Sequence, residues 1–419
     1  MIAMFNPANR RFLYPGLSVG LLFPLLMRFY WPDGGGLDVT GQAIGRDFIN
    51  VWVGPQLAFD GRLATLFDLA GYQAAIGELF GHAMPFHNWG YPLFTLPMFW
   101  PLAQLPYFLA LTVWTVGLFV PFAGVTLSQI KPQDRVRAVL MLAIAPACLI
   151  NAVGGQNGFL SAALLLGGIL ALERRPVLAG MLFGLLTFKP HLGIVLPFAL
   201  IALGAWRVIA SATVTALGLL ALSVAIFGIE PWRQYVDVAG AYQVDLLEHF
   251  YGYYAFMMTS ITAGARTLGV PYRVALAIQV IAAVFVLVAS CWAVRRTADP
   301  CRRAFVLACA APLVTPYAFN YDLTAVAAVL VWILFGRLPW RSRWGDLYLL
   351  AWLVPVGAMY LNMLGLGVAP LVQIALFGLS LREAVTSPEA AGTTGKASGQ
   401  GPDSAAQGSF AVDPLATAR

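Results

Sequence analysis

The chain has 419 residues, 60% of them hydrophobic and 11% charged, with a formal net charge of +6. A soluble domain carries roughly 25% charged residues, so the composition excludes an ordinary water-soluble enzyme and points to an all-α polytopic membrane protein. The apolar runs are continuous rather than alternating, which excludes a transmembrane barrel, and basic residues confined to short loops read as topology rather than as a nucleic-acid surface.

Apolar segments of helical length fall at 12–30, 105–128, 138–153, 157–172, 176–188, 191–204, 207–227, 272–294, 303–318, 322–335, 346–363 and 367–381, about twelve in all. Arg10 and Arg11 precede the first, which lacks a small-residue cleavage site and reads as a retained anchor. With the N-terminus inside and the segments alternating, the inner loops hold Lys131, Arg135, Arg137, Arg174, Arg175, Arg207, Arg295, Arg296, Arg302, Arg303, Arg337, Arg341, Arg343 and Arg382. Most basic residues then lie inside, as a cytoplasmic face requires. The outer face receives 31–104, 154–157, 189–191, 228–271 and 315–322, where the unusual polar residues gather.

Within the first outer segment, the run GRDFINVWVGPQLAFDGRLATLF carries Arg46 and Asp47 into an apolar stretch. Asp47, Asn50 and Gly54 share one helical face, while Phe48, Val51, Trp52 and Phe59 rest in lipid or protein. This predicts an interfacial amphipathic helix with a carboxylate at its N-terminal end. A carboxylate at a bilayer edge is costly and needs a reason. It is a helix cap or a general base, whose ionised form a helix N-terminus favours. Asp60 and Asp68 read as solvated or capping. His87, Asn88, Trp89 and Tyr91 have the composition of a sugar platform, or of an interfacial aromatic belt, the reading that suits Trp89. Pro92, Pro97 and Pro101 prevent 91–104 from forming one clean span, so it is expected to be re-entrant or interfacial.

Gln156 and Asn157 either hydrogen-bond sugar hydroxyls or cap the next helix. The segment 176–188 spans roughly 20 Å as a helix, against a hydrocarbon core of about 30 Å. It therefore ends below the outer surface, leaving Lys189 and His191 in a protein-lined recess. A mid-membrane lysine costs about 2.5–3.5 kcal/mol. Lys189 either snorkels or serves as the cation for a lipid-linked phosphate, with His191 adding a hydrogen bond or simply filling the interior. The segment 228–271, with Glu248, His249, Tyr251, Tyr253, Tyr254 and Arg266, closes over a substrate or forms a plain interfacial loop. Asn320, Tyr321 and Asp322 begin the tenth segment, where Asn320 reads most simply as a cap. The cysteines 148, 291, 301 and 309 and the four histidines show no metal spacing, and neither an Asp-x-Asp nor a Walker A motif occurs. Residues 387–419, rich in Gly, Ser, Ala and Thr, read as a disordered cytoplasmic tail.

Asp47-Phe48, Tyr91-Pro92-Leu93-Phe94, Gly155-Gln156-Asn157, Lys189-Pro190-His191 and Thr315-Pro316-Tyr317, in this order, resemble glycosyltransferase family 87 of the GT-C superfamily across residues 12–381. The resemblance implies a GT-C-type helical bundle over 1–386, a polyprenyl-phosphate-sugar donor, an outward-facing active site and inversion at the anomeric carbon. The family's acidic base in the first outer loop maps onto Asp47. The chain departs in having Leu93 where members often carry a second proline, and Tyr317 where they often carry a histidine. The expected site is Asp47 as base, Lys189, His191 and Tyr317 for the donor phosphate, and Asn50, His87, Tyr91, Gln156, Asn157 and Asn320 for the sugar or acceptor. No cofactor or metal is called for. The expected partners are membrane lipids, the lipid-linked donor and a glycolipid or glycan acceptor, at a cell membrane with both termini cytoplasmic. The same recess suits a flippase for a lipid-linked saccharide, although the internal repeats common in transporters are not evident.

Overall fold

The computed structural model describes residues 7–85, 87–250 and 252–386; the expected disordered tail and Tyr251 lie outside them. The described chain is mostly helical, and its strands form a two-stranded ribbon, Pro32–Gly34 with Leu37–Asp38. Tyr107–Leu127, Trp206–Phe227, Tyr272–Val294 and Ser342–Met363 are each long and apolar enough to cross a bilayer. Pro132–Ala143 and Pro146–Val153 reach that length together, bent by 58°. The bend falls at Ala145, held extended (φ −59°, ψ 133°) ahead of Pro146, because a proline ring disfavours the helical region for the residue before it. Several other apolar segments are shorter helices, among them Gly158–Ala171, Pro176–Phe188, Pro190–Ala202 and Asn320–Leu334.

Gly158–Ala171 and Asn320–Leu334 occupy the interior. Every residue of Thr324–Leu334 is buried, as expected of a helix that is apolar all round. Trp206–Phe227 is the opposite case: it buries only Val208 and Ser223 and leaves Val214, Leu217 and Leu222 outward. An apolar surface of this kind belongs against lipid, and the chain is an integral membrane protein. Trp206–Phe227 packs closely on Pro176–Leu185. Gly180 and Gly184, one turn apart, lie directly against Ser211 and Thr215, the small-residue contact by which helices approach in a membrane. That packing fixes the short helix whose end presents Lys189.

The basic loops converge at one end of the bundle through ion pairs. Arg303 pairs with Glu173, Arg337 with Asp299, and Arg341 with Glu383.

Three expectations are revised. The segment 228–271 is not a loop but three helices, Glu230–His249, Gly252–Met257 and Ile261–Thr267. The helix after Asp47, Phe48–Phe59, has nine of its twelve residues buried and packs on Thr95–Ala103, so protein covers it on nearly every side where an interfacial helix would bury one face. The proline-rich 91–104 region, as expected, forms no single long helix and contains the nine-residue Thr95–Ala103. Trp89 is 2% exposed and lies on Gly54; it is a core residue rather than part of an interfacial belt.

Candidate functional site

The turn between Pro146–Val153 and Gly158–Ala171 organises the polar interior. Gly155 takes a left-handed conformation, φ +56°, and Trp114 Nε1 donates to its carbonyl at 3.0 Å. A Cβ at this position would collide with the Gly45 carbonyl and the Phe48 side chain. Gly155→Ala is therefore expected to destabilise the protein by about 1–3 kcal/mol through strain and overpacking, read as a lower thermal midpoint in detergent.

The locked turn aims two consecutive side chains in different directions. Gln156 Nε2 donates to Asp47 Oδ2. Asn157 Oδ1 accepts from Lys189 Nζ at 2.7 Å, and its Nδ2 donates to the Tyr91 hydroxyl at 3.0 Å. The acid and the ammonium group are thus held by neighbouring residues of one turn.

Asp47 occupies the N-cap position of Phe48–Phe59, yet its carboxylate makes no capping hydrogen bond. Its second oxygen, Oδ1, accepts from the Tyr254 hydroxyl at 3.3 Å. The charge of Asp47, then burial, push the Tyr254 phenol well above its ordinary value, so it stays protonated and donates to the carboxylate. Arg46, just ahead, is pinned in place. It donates through Nε to Asp38 at 2.9 Å and through the other arm of the guanidinium to the Phe29 carbonyl, and it lies over the Tyr30 ring at 4.2 Å. This clamp sets the backbone from which Asp47 projects.

Lys189 leaves the helix at the end of Pro176–Phe188, as the short span requires, with φ −131° and ψ 70°. Its ammonium group donates to Asp322 as well as to Asn157 and sits 4.8 Å from the Tyr321 ring centroid. The Asp322 side chain is fully buried and that of Lys189 only 8% exposed. Asp322 also accepts the Phe319 backbone N–H at 3.0 Å. An ammonium carries three donors, and two of them are placed here. His191 Nε2 lies 4.0 Å from Asp322 Oδ2 and has no hydrogen-bond partner among the described residues.

A cavity of about 380 Å³ opens between these groups, and Asp47, Asn50, Tyr91, Gln156, Asn157, Lys189, His191 and Tyr317 all reach its wall. Asn50 is held there by the Tyr72 hydroxyl, which donates to it at 2.7 Å. The Tyr317 hydroxyl is spent on the Gln243 carbonyl at 2.6 Å. Two expected residues are elsewhere. Asn320 does not face the cavity: its side chain donates to the Pro355 carbonyl at 3.0 Å. His87 is buried behind Asp47, lining a separate chamber of about 60 Å³ with Asp47, Gln156 and Tyr254. Burial pushes the His87 imidazole below its ordinary value, against the pull of Asp47.

The sequence reading missed Asp322 as the partner of Lys189 and Tyr254 as the partner of Asp47. The first had a signal, a carboxylate opening an apolar helix, the reasoning that singled out Asp47. Tyr254 was one tyrosine among several, and nothing but the tertiary contact distinguishes it.

The sequence model described as glycosyltransferase family 87 matches residues 89–316, more than half of the chain. No curated protein and no solved structure matches.

Proposed function

Because the chain belongs to glycosyltransferase family 87, and so to the GT-C superfamily, we propose that this membrane glycosyltransferase takes its sugar from a polyprenyl phosphate and passes it, with inversion, to a lipid or glycan acceptor. The observation that carries the reading is the single cavity shared by Asp47 and Lys189, each fixed by one of two consecutive residues.

In the proposed step Asp47 takes the proton from an acceptor hydroxyl as that oxygen attacks the anomeric carbon. The bond from that carbon to the phosphate oxygen breaks, and its electron pair leaves on the phosphate. The lipid phosphate passes from one negative charge towards two. In this reading Lys189, helped by His191, stabilises that charge as it develops. Asp322 keeps the buried ammonium compensated, since an unpaired buried charge is costly. Asn50, Tyr91, Gln156 and Asn157 offer hydrogen bonds to sugar hydroxyls. Tyr317, with its hydroxyl engaged, offers mainly a ring face. We place the cavity on the outer face of the cell membrane and both termini in the cytoplasm, in a bundle of about twelve spans in which short helices count as spans.

Purified protein in detergent tests the reading, using short-chain polyprenyl phosphate hexoses and pentoses labelled in the sugar, with octyl glycosides as acceptors. A new glycosidic bond is the expected result. Binding of donor without any bond formation, in a preparation that remains folded, favours a flippase.

A further inference from the structure

The wall between the large cavity and the small chamber is made by Asp47, Gln156 and Tyr254, the three residues common to both. Both oxygens of the Asp47 carboxylate accept a hydrogen bond, but the two are not held equally. Gln156 is 5% exposed, and its backbone N–H is bonded to Asn151 within the locked turn. Tyr254 is half-buried, sits on the short Gly252–Met257 helix, and holds Oδ1 at 3.3 Å, beyond the usual 2.7–2.8 Å of such bonds. The Gln156 contact orients the carboxylate; the Tyr254 contact is the one that can yield.

Resting on the reading of Asp47 as base, we propose that the Tyr254 hydroxyl occupies the position of the acceptor hydroxyl on Asp47 Oδ1 and so keeps water from being activated there while the acceptor is absent. An uncovered Asp47 would take a proton from water. The water oxygen would bond to the anomeric carbon, the carbon–oxygen bond to phosphate would break, and free sugar and lipid phosphate would be lost. A donor bound in the cavity is open to this hydrolysis, so a cap on the base decides between transfer and waste. Tyr254 suits the task because it donates to the carboxylate without taking its proton, and because its ring lies at the border of both spaces. An arriving acceptor hydroxyl displaces it and makes the same hydrogen bond in its place.

The test uses the full-length protein in detergent with the labelled polyprenyl phosphate sugar that the wild type accepts. Hydrolysis is measured without acceptor and transfer with an octyl glycoside. Tyr254→Phe is expected to raise the ratio of hydrolysis to transfer by about tenfold, the shift available from one weak hydrogen bond to a charged group. Donor KM stays unchanged and acceptor KM falls. Tyr254→Leu, which also lacks the hydroxyl, must move the ratio in the same direction. A residue that merely supports the fold would lower both rates together, and an unchanged or lower ratio in both variants overturns the proposal. Asp47→Asn separates the two levels. If it abolishes both reactions while the Tyr254 variants leave the ratio flat, the cap alone is wrong. If it leaves both intact, the assignment of the base is wrong as well.

Discussion

Replacing Asp47 by asparagine is expected to lower kcat for sugar transfer by about 10²- to 10⁴-fold, the usual worth of a positioned general base, with little change in thermal stability or donor KM. Asparagine keeps the shape and the hydrogen bonds of the site. Its oxygen can accept from Gln156 and its amide group can donate to the Tyr254 oxygen, so both neighbours that now hold the carboxylate retain a partner. What is lost is the capacity to take a proton. The carboxylate makes no capping bond to its own helix, so the fold does not depend on its charge there. Initial rates with labelled donor, alongside thermal unfolding of the same preparation, measure the effect. A fall in stability comparable to the fall in rate would mark Asp47 as structural.

Lys189→Met is expected to abolish transfer and to destabilise the protein by about 3–5 kcal/mol, the cost of leaving a buried charge without its partner. The charge in question is Asp322, whose side chain is fully buried and whose other hydrogen bond comes from the Phe319 N–H. Methionine replaces the lysine stem well but offers nothing to that carboxylate. The double variant Lys189→Met/Asp322→Asn removes the stranded charge and is expected to recover most of the stability while remaining inactive, because the leaving phosphate still lacks its cation. Thermal midpoints of the two single variants and the double variant form a cycle that isolates the coupling. Equal midpoints for Lys189→Met and the double variant would show that the pair does not carry this energy.

The parts of the site that follow from local sequence were legible. The apolar stretch before Lys189 is shorter than the hydrocarbon core is thick, and the chain does leave the helix there, its last turn tightened at Leu186–Phe188. Asp47 does open a helix, and Gln156 and Asn157 do lie in a glycine turn. The rest depended on distances that one sequence does not display. Lys189 and Asp322 are 133 residues apart, and Asp47 and Tyr254 are 207 apart. The helix after Asp47 was misplaced because lipid and protein interior ask for the same apolar side chains, so Ile49, Val51 and Val53 fit either surrounding. The helices of 228–271 were hidden by the opposite composition. Arg233, Asp237, Asp245 and Glu248 break the apolar run that identifies a span, although they suit a partly exposed helix. Asn320 was misjudged because its neighbour Asp322 does the work at that helix start, leaving the amide to bond across to Pro355.

The role of Asp47 as proton acceptor is tested most directly by giving the wild type and Asp47→Asn a matched pair of acceptors, an octyl glycoside and the analogue in which a thiol replaces the reacting hydroxyl. A thiol ionises near pH 8.5 and needs no base at that pH. The asparagine variant should transfer to the hydroxyl acceptor about a thousandfold more slowly than the wild type, and to the thiol at a rate within about tenfold of it. An equal slowing with both acceptors, or none with the hydroxyl, would contradict the assignment of Asp47 as the base.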